Sequence, residues 1–196
     1  MVTDTLVSIF LTKEEEKVIQ RVAMQCAMVW IAAGAVAMGQ NPASVPAGPA
    51  AEVQRSYATV KENILKSADK MPSADYSYKP VAEVRTYARV LNHVTEAQLR
   101  SCGAVNRTSA DTQAKVPPET ADKDTIVTAL KASFAECDKA FSSLTNGDLQ
   151  DMFTLPQGQR SRVGLVWGTV SHDMEQYATL ALYLRLKGIA PPSSEK

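Results

Sequence analysis

Four stretches of this chain repeat apolar residues every three or four positions, and none competes with strand-like alternation. That spacing constrains the fold more than any other feature. Val53, Tyr57, Val60, Ile64 and Ala68 make one stripe of a helix predicted over about 49–70. Val84, Ala88, Leu91, Thr95, Gln98 and Cys102 make a second over about 81–105, and Ile126, Leu130, Phe134, Cys137, Phe141 and Leu144 a third over about 122–144. The fourth helix, over about 161–187, is apolar on two sides. Leu165, Thr169, Leu180 and Tyr183 lie on one side, and Val163, Val166, Val170, Met174, Tyr177, Ala181 and Leu184 on the other. Four helices each needing to bury a stripe make an all-α four-helix bundle the economical fold.

Helix-end chemistry agrees with these limits. Asp122 suits the N-cap of the third helix, where its carboxylate accepts an orphan backbone N–H. Asn146-Gly147 stops that helix, and Gly188 followed by Pro191-Pro192 stops the fourth. Two connectors are long. The stretch from Asn106 to Ala121 has about 16 residues, where antiparallel neighbours usually need ~2 to 8. Extended chain covers ~3.3 Å per residue, so this loop is long enough to cross the whole bundle. A crossover would make the second and third helices parallel. The segment 147–160 reads as irregular.

The same topology decides the fate of Cys102 and Cys137. In a parallel pair their depths along the two helices nearly match, and a bridge is feasible. In an antiparallel pair they stand ~16 Å apart along the axis, at a rise of 1.5 Å per residue, too far to bond. The alternative is two buried thiols, since free Cys packs as a small hydrophobe.

Ahead of the bundle the chain changes character. Residues 22–39 are uncharged and apolar, follow Arg21, and close on small residues at Ala35-Val-Ala37. A polar, Pro-rich run follows. This is the order of a secretory signal, although Glu14-Glu15-Glu16 is unusual in such a leader, and an uncleaved anchor helix is the rival reading. The expected organisation is a leader or anchor over 1–39, a linker over 40–48 and a bundle over 49–196. The protein is expected to be exported, periplasmic or secreted, and free of the membrane once the leader is cleaved. With 21 basic and 21 acidic residues and no dense basic run, the chain carries no electrostatic footprint for nucleic acid.

The chain has only two histidines, His93 and His172, both mid-helix in apolar surroundings. Gln176 falls one turn after His172 and shares its face. Imidazoles aimed inward from facing helices are a common way to build a divalent-metal site, yet a histidine on an apolar face is more often a hydrogen-bonded core residue. Asp173 and Glu175 stand beside His172 as second-shell candidates or as ordinary surface carboxylates. Tyr87, Trp167, Tyr177 and Tyr183 are better read as packing than as a ligand box. No Cys-x-x-Cys, phosphate loop or nucleophile elbow is present, and Ser171-His172 is mere adjacency, because neighbouring helix residues point apart.

Several segments resemble the DinB family of four-helix-bundle proteins: Met71-Pro-Ser-Ala-Asp-Tyr-Ser-Tyr-Lys-Pro80, Glu83-Val-Arg-Thr-Tyr87, Leu91-Asn-His-Val94, His172-Asp-Met-Glu-Gln-Tyr177 and the closing Tyr183-Leu-Arg-Leu-Lys-Gly-Ile-Ala-Pro-Pro-Ser-Ser194. The resemblance spans roughly 52–194. It implies a crossover between helices two and three, which makes them parallel. It also implies a divalent metal, zinc or nickel, held by one histidine of helix two and two histidines four apart on helix four. His93 and His172 match the first two positions, and Gln176 stands at the third. A glutamine carbonyl oxygen is neutral and a weaker ligand than imidazole.

Two function classes follow. One is an exported DinB-like protein with a degenerate site at His93, His172 and Gln176, acting as a weak metal-dependent hydrolase or transferase. Its catalytic residues are not assigned by the sequence. The other is a non-catalytic binding or interaction module without metal, taking a small-molecule ligand between its helices or pairing as a homodimer. Export argues against a low-molecular-weight thiol as co-substrate, although thiol-dependent transferases occur among proteins the chain resembles.

Overall fold

The computed structural model describes residues 48–195. The expected leader and almost all of the expected linker lie outside the described residues. Four helices form: α1 Pro49–Lys70, α2 Tyr87–Asn106, α3 Lys123–Ser142 and α4 Arg162–Leu186. Pro49 opens α1 at a position where its missing N–H costs nothing. The Asp122 side chain caps α3 by accepting from the Thr125 N–H, and the Ser161 side chain caps α4 by accepting from the Gly164 N–H. Gly188, at φ +74°, turns the chain out of α4, and the Ile189 N–H reaches back to the Leu184 carbonyl. Among the described residues no helix is long and apolar enough to cross a membrane.

α2 starts at Tyr87, later than the apolar stripe predicts. The Thr86 hydroxyl caps it by accepting from the Arg89 N–H. The Tyr87 and Ala88 N–H groups are taken by the Tyr78 and Tyr76 carbonyls of the preceding connector. Those bonds hold the connector against the helix start, and Val81 and Val84 are left exposed in it.

The cross-helix contacts give the topology. Gln98 meets Ser133 and Cys102 meets Cys137, so residue numbers rise together and α2 and α3 run parallel. Against α1 the numbers run oppositely: Ala50 bonds Asn146, Tyr57 bonds Asp138, and Lys123 bonds the Met71 carbonyl. α2 and α4 are also antiparallel, with Tyr183 on the Arg85 carbonyl and Gln98 on Asp173. The expected bundle with a crossover between its second and third helices is therefore the fold.

The crossover lies back along α2 from end to start. Gln113 donates to the Leu99 carbonyl, Asn92 donates to the Pro117 carbonyl, and Thr86 bonds Glu119. Gly103 permits the approach, since a Cβ there would fall 2.2 Å from Gln113 Nε2.

The core is continuous among all four helices. Tyr57, Ile64, Leu91, Val94, Ile126, Phe134, Val170 and Leu184 are each at most 5% exposed. Tyr57 stacks on Phe141 with centroids 3.9 Å apart, and such pairs add to burial. Two residues of α4 leave the expected pattern: Met174 of the apolar stripe is 43% exposed, and Trp167, expected to pack, is 50% exposed.

The segment 147–160 is not irregular throughout. Met152–Leu155 (β1) and Gly158–Ser161 (β2) form an antiparallel hairpin, with Leu155 paired to Gly158 across Pro156-Gln157. Pro156 pre-sets the turn, and Gly158 takes φ +117°. Only Phe153 of the hairpin is buried. Two strands of four residues with one inward side chain leave no period-two signature, which hides them from sequence reading.

Cys102 and Cys137 form a disulfide, with Cα atoms 5.0 Å apart across a sequence separation of 35. Cross-linking a loop of that length stabilises by about 3.8 kcal/mol on the loop-entropy model. Reduction without denaturant is therefore expected to lower the melting temperature by roughly 10 °C. A Cys102→Ala/Cys137→Ala variant is expected to match the reduced protein, which thermal melts followed by circular dichroism would check.

Candidate functional site

His93 on α2 and His172 on α4 converge from facing helices. Their Nε2 atoms stand 3.2 Å apart, with ring centroids 4.9 Å apart and the rings 65° to one another. Each ring turns its other nitrogen toward a carboxylate. His172 Nδ1 lies 3.3 Å from Asp173 Oδ1, and His93 Nδ1 lies 3.7 Å from Glu96 Oε2, the latter an ion-pair distance. Glu96 is itself held by a bidentate pair with Arg89, at 2.8 and 3.0 Å.

These partners bear on the tautomers. A carboxylate beside Nδ1 favours a proton on Nδ1, which leaves the Nε2 lone pair free. Applied to both rings, that aims two lone pairs at one another across 3.2 Å. A proton on one Nε2 bridges the rings as an N–H···N hydrogen bond, and with both protons on Nδ1 the two lone pairs face a single position between the rings. Two nitrogens each 2.0–2.1 Å from one tetrahedral ion stand about 3.3 Å apart, so the observed spacing fits a shared ligand pair. An imidazole with a carboxylate behind its second nitrogen is also the usual dressing of a metal-ligating histidine.

Asp173 is fully buried, and the protein has built it a support. Gln98 Nε2 donates to Asp173 Oδ2 at 2.7 Å, and the Ser133 hydroxyl donates to Gln98 Oε1 at 2.7 Å. Gln98 and Ser133 are both at 0% exposure. This relay joins α3, α2 and α4 and ends at His172. Burial pushes the Asp173 carboxyl above its ordinary range, and its bonds from His172 and Gln98 pull it back. The His93 imidazole is held below its ordinary value first by burial, then by Arg85 and His172, with Glu96 acting against them.

His93 and His172 are thus brought together as the sequence spacing anticipates. Gln176, one turn beyond His172, is buried at 5% exposure. Of the two flanking carboxylates Asp173 is inside, while Glu175 faces solvent. Glu96, Gln98 and Ser133 escape sequence reading as site residues. Glu96 had a usable signal, three positions after His93 on the same face; Gln98 and Ser133 pass for stripe members. Among the described residues no three or more His, Cys, Asp and Glu side chains are gathered so as to hold one metal ion together.

Residues 56–180 match the family model of the DinB superfamily. The chain belongs to the DinB superfamily. Solved structures agree on the fold. A DinB-like protein from Bacillus cereus is 17% identical with a TM-score of 0.56, covering 71% of this chain and 93% of its own. A DinB-like protein from Bacillus subtilis is 14% identical with a TM-score of 0.54, covering 70% and 92%. A conserved protein from Enterococcus faecalis is 14% identical with a TM-score of 0.55, covering 71% and 96%. No curated protein matches the chain. The segment that carries the histidine pair, from His93 to His172, lies wholly inside the matched DinB region.

Two measurements check this geometry. Gln98→Ala leaves the buried Asp173 carboxylate without its amide donor and is expected to cost about 1–3 kcal/mol in chemical denaturation at neutral pH. In chelator-treated protein, NMR titration of the two histidine rings is expected to place His93 below the 6.5 of a free imidazole. Between its lowered value and 6.5 the unfolded chain binds the proton and the folded chain does not. Stability from this group therefore falls as pH drops through that window.

Proposed function

We propose that this DinB-superfamily protein holds a divalent metal ion, zinc or nickel, between His93 Nε2 and His172 Nε2, with Gln176 as a weak third ligand. The observation that carries the reading is the facing pair of Nε2 atoms at 3.2 Å, with a carboxylate behind each ring. Neutral imidazole suits such metals, and burial keeps His93 neutral and ready to ligate.

On this reading the protein is a weak metal-dependent hydrolase or transferase acting on a small molecule. A divalent ion at the pair supplies Lewis acidity to substrate or water. The remaining work belongs to the chain. Asp173 fixes the His172 ring and its tautomer, Gln98 and Ser133 fix Asp173, and Glu96 with Arg89 orients His93. We also propose export. The apolar run 22–39 supports it, as does the Cys102–Cys137 disulfide, since such bonds persist in oxidising compartments.

The alternative is a non-catalytic module in which the facing nitrogens share a proton. Gln176 favours it, because a neutral amide oxygen at the third position gives away affinity. Metal analysis separates the two. After incubation with zinc or nickel and desalting, the protein is expected to retain near-stoichiometric metal, and His93→Ala and His172→Ala are each expected to lose it. Gln176→His is expected to tighten binding at least about tenfold. Retention only in Gln176→His supports the module. No retention in either form overturns the metal reading.

A further inference from the structure

A cavity of about 510 Å³ opens beside the histidine pair, between α2, α4 and the hairpin tip, and His172 forms part of its wall. That is the size of a small-molecule site. Its walls divide by chemistry. Ala97, Leu165, Leu155 and Pro156 give it an apolar side. Arg100 from α2 and Arg160 from β2 give it two guanidinium groups, and no aspartate or glutamate lines it. In a chain with equal numbers of acidic and basic residues, this is a local excess of positive charge.

Neither arginine is neutralised. Among the described residues the Arg100 side chain makes no hydrogen bond or ion pair. Arg160 donates one N–H to the Gly164 carbonyl at 3.1 Å, which leaves its other donors available. Elsewhere the protein does pair arginines that it holds in place: Arg89 with Glu96, and Arg162 with Asp151. The Arg160 guanidinium lies along the glycine face of α4. A Cβ at Gly164 would stand 3.6 Å from its Nε, and a Cβ at Gly168 would stand 3.7 Å from its Nη2. With no side chains on that face, the guanidinium and a ligand can share the cavity floor.

We infer that this cavity binds a small organic carboxylate with an apolar body. Its carboxylate lies between Arg100 and Arg160, its body lies against Leu155, Pro156 and Leu165, and its far end is directed at His172. A guanidinium fork matches a carboxylate bidentately, and the apolar wall favours a hydrocarbon body over a free inorganic anion. The inference rests on the histidine pair being the reactive end, and it names the substrate class for that site.

The test uses the full-length protein and three probes of one shape: 4-phenylbutanoate, 4-phenylbutan-1-ol and 4-phenylbutylamine. Binding is followed by NMR titration, with and without chelator. The carboxylate is expected to bind at least about tenfold more tightly than the alcohol or the amine. Arg100→Gln and Arg160→Gln are each expected to weaken the carboxylate about tenfold and leave the alcohol unchanged, with helical circular dichroism and metal content as in the parent. Equal binding of the three probes overturns the inference. So does carboxylate binding that survives both substitutions, or no binding of any probe. Charge-selective binding in a protein that retains no metal upholds the carboxylate site and removes the metal. Metal retention without charge selectivity does the reverse.

Discussion

A carboxylate with no solvent exposure sits at the centre of this bundle, and three helices are organised around it. Leaving Asp173 ionised and alone would cost several kcal/mol after relaxation. The protein meets that cost with a directed donor, the Gln98 amide, and fixes the donor in turn with the Ser133 hydroxyl. Each of these side chains comes from a different helix, so the relay is satisfied only when α2, α3 and α4 are in register. A one-turn slip of α4 would move Asp173 about 5.4 Å along the axis and strand it. The buried polar chain therefore specifies the packing as well as orienting His172.

The parallel arrangement of α2 and α3 is the second condition. The Cys102–Cys137 disulfide and the Gln98–Ser133 bond share a face of each helix one turn apart, so a covalent bond and a hydrogen bond lock the same register. The crossover that permits this arrangement is not a free strap. Its bonds to Leu99, Asn92 and Thr86 run the length of α2, so the loop packs as a further layer on the helix that carries His93.

The histidine pair and the cavity inherit their geometry from this frame. His93 and His172 meet because α2 and α4 are antiparallel and in contact. The cavity exists because the hairpin tip reaches over α2 while α4 presents Gly164 and Gly168 there in place of side chains. The hairpin is itself fixed at its base, where Arg162 pairs with Asp151 and lies over the Phe153 ring at 5.1 Å. A segment that looks structureless in sequence thus supplies one wall of the cavity and one of the two guanidinium groups that line it.

The sequence by itself determined the four helices, because burying a stripe every 3.6 residues is a local requirement written into residues such as Val53, Tyr57, Val60 and Ile64. It also determined the cap at Asp122 and the stop at Gly188, since those depend on bonds a few residues away. It held the histidine pair in outline through the spacing of His93, His172 and Gln176. It did not show the late start of α2, which rests on carbonyls of the preceding connector, or the hairpin, whose strands bury one side chain between them. Tertiary structure alone decided that Asp173 turns inward and Glu175 outward, that Gln98 is a hydrogen-bond relay rather than a stripe residue, and that Arg100 and Arg160 face one cavity across 60 positions of chain. The reason is physical: a helical stripe reports which side of a helix avoids water, whereas a polar side chain's partner is fixed only when a second helix arrives with the matching donor or acceptor.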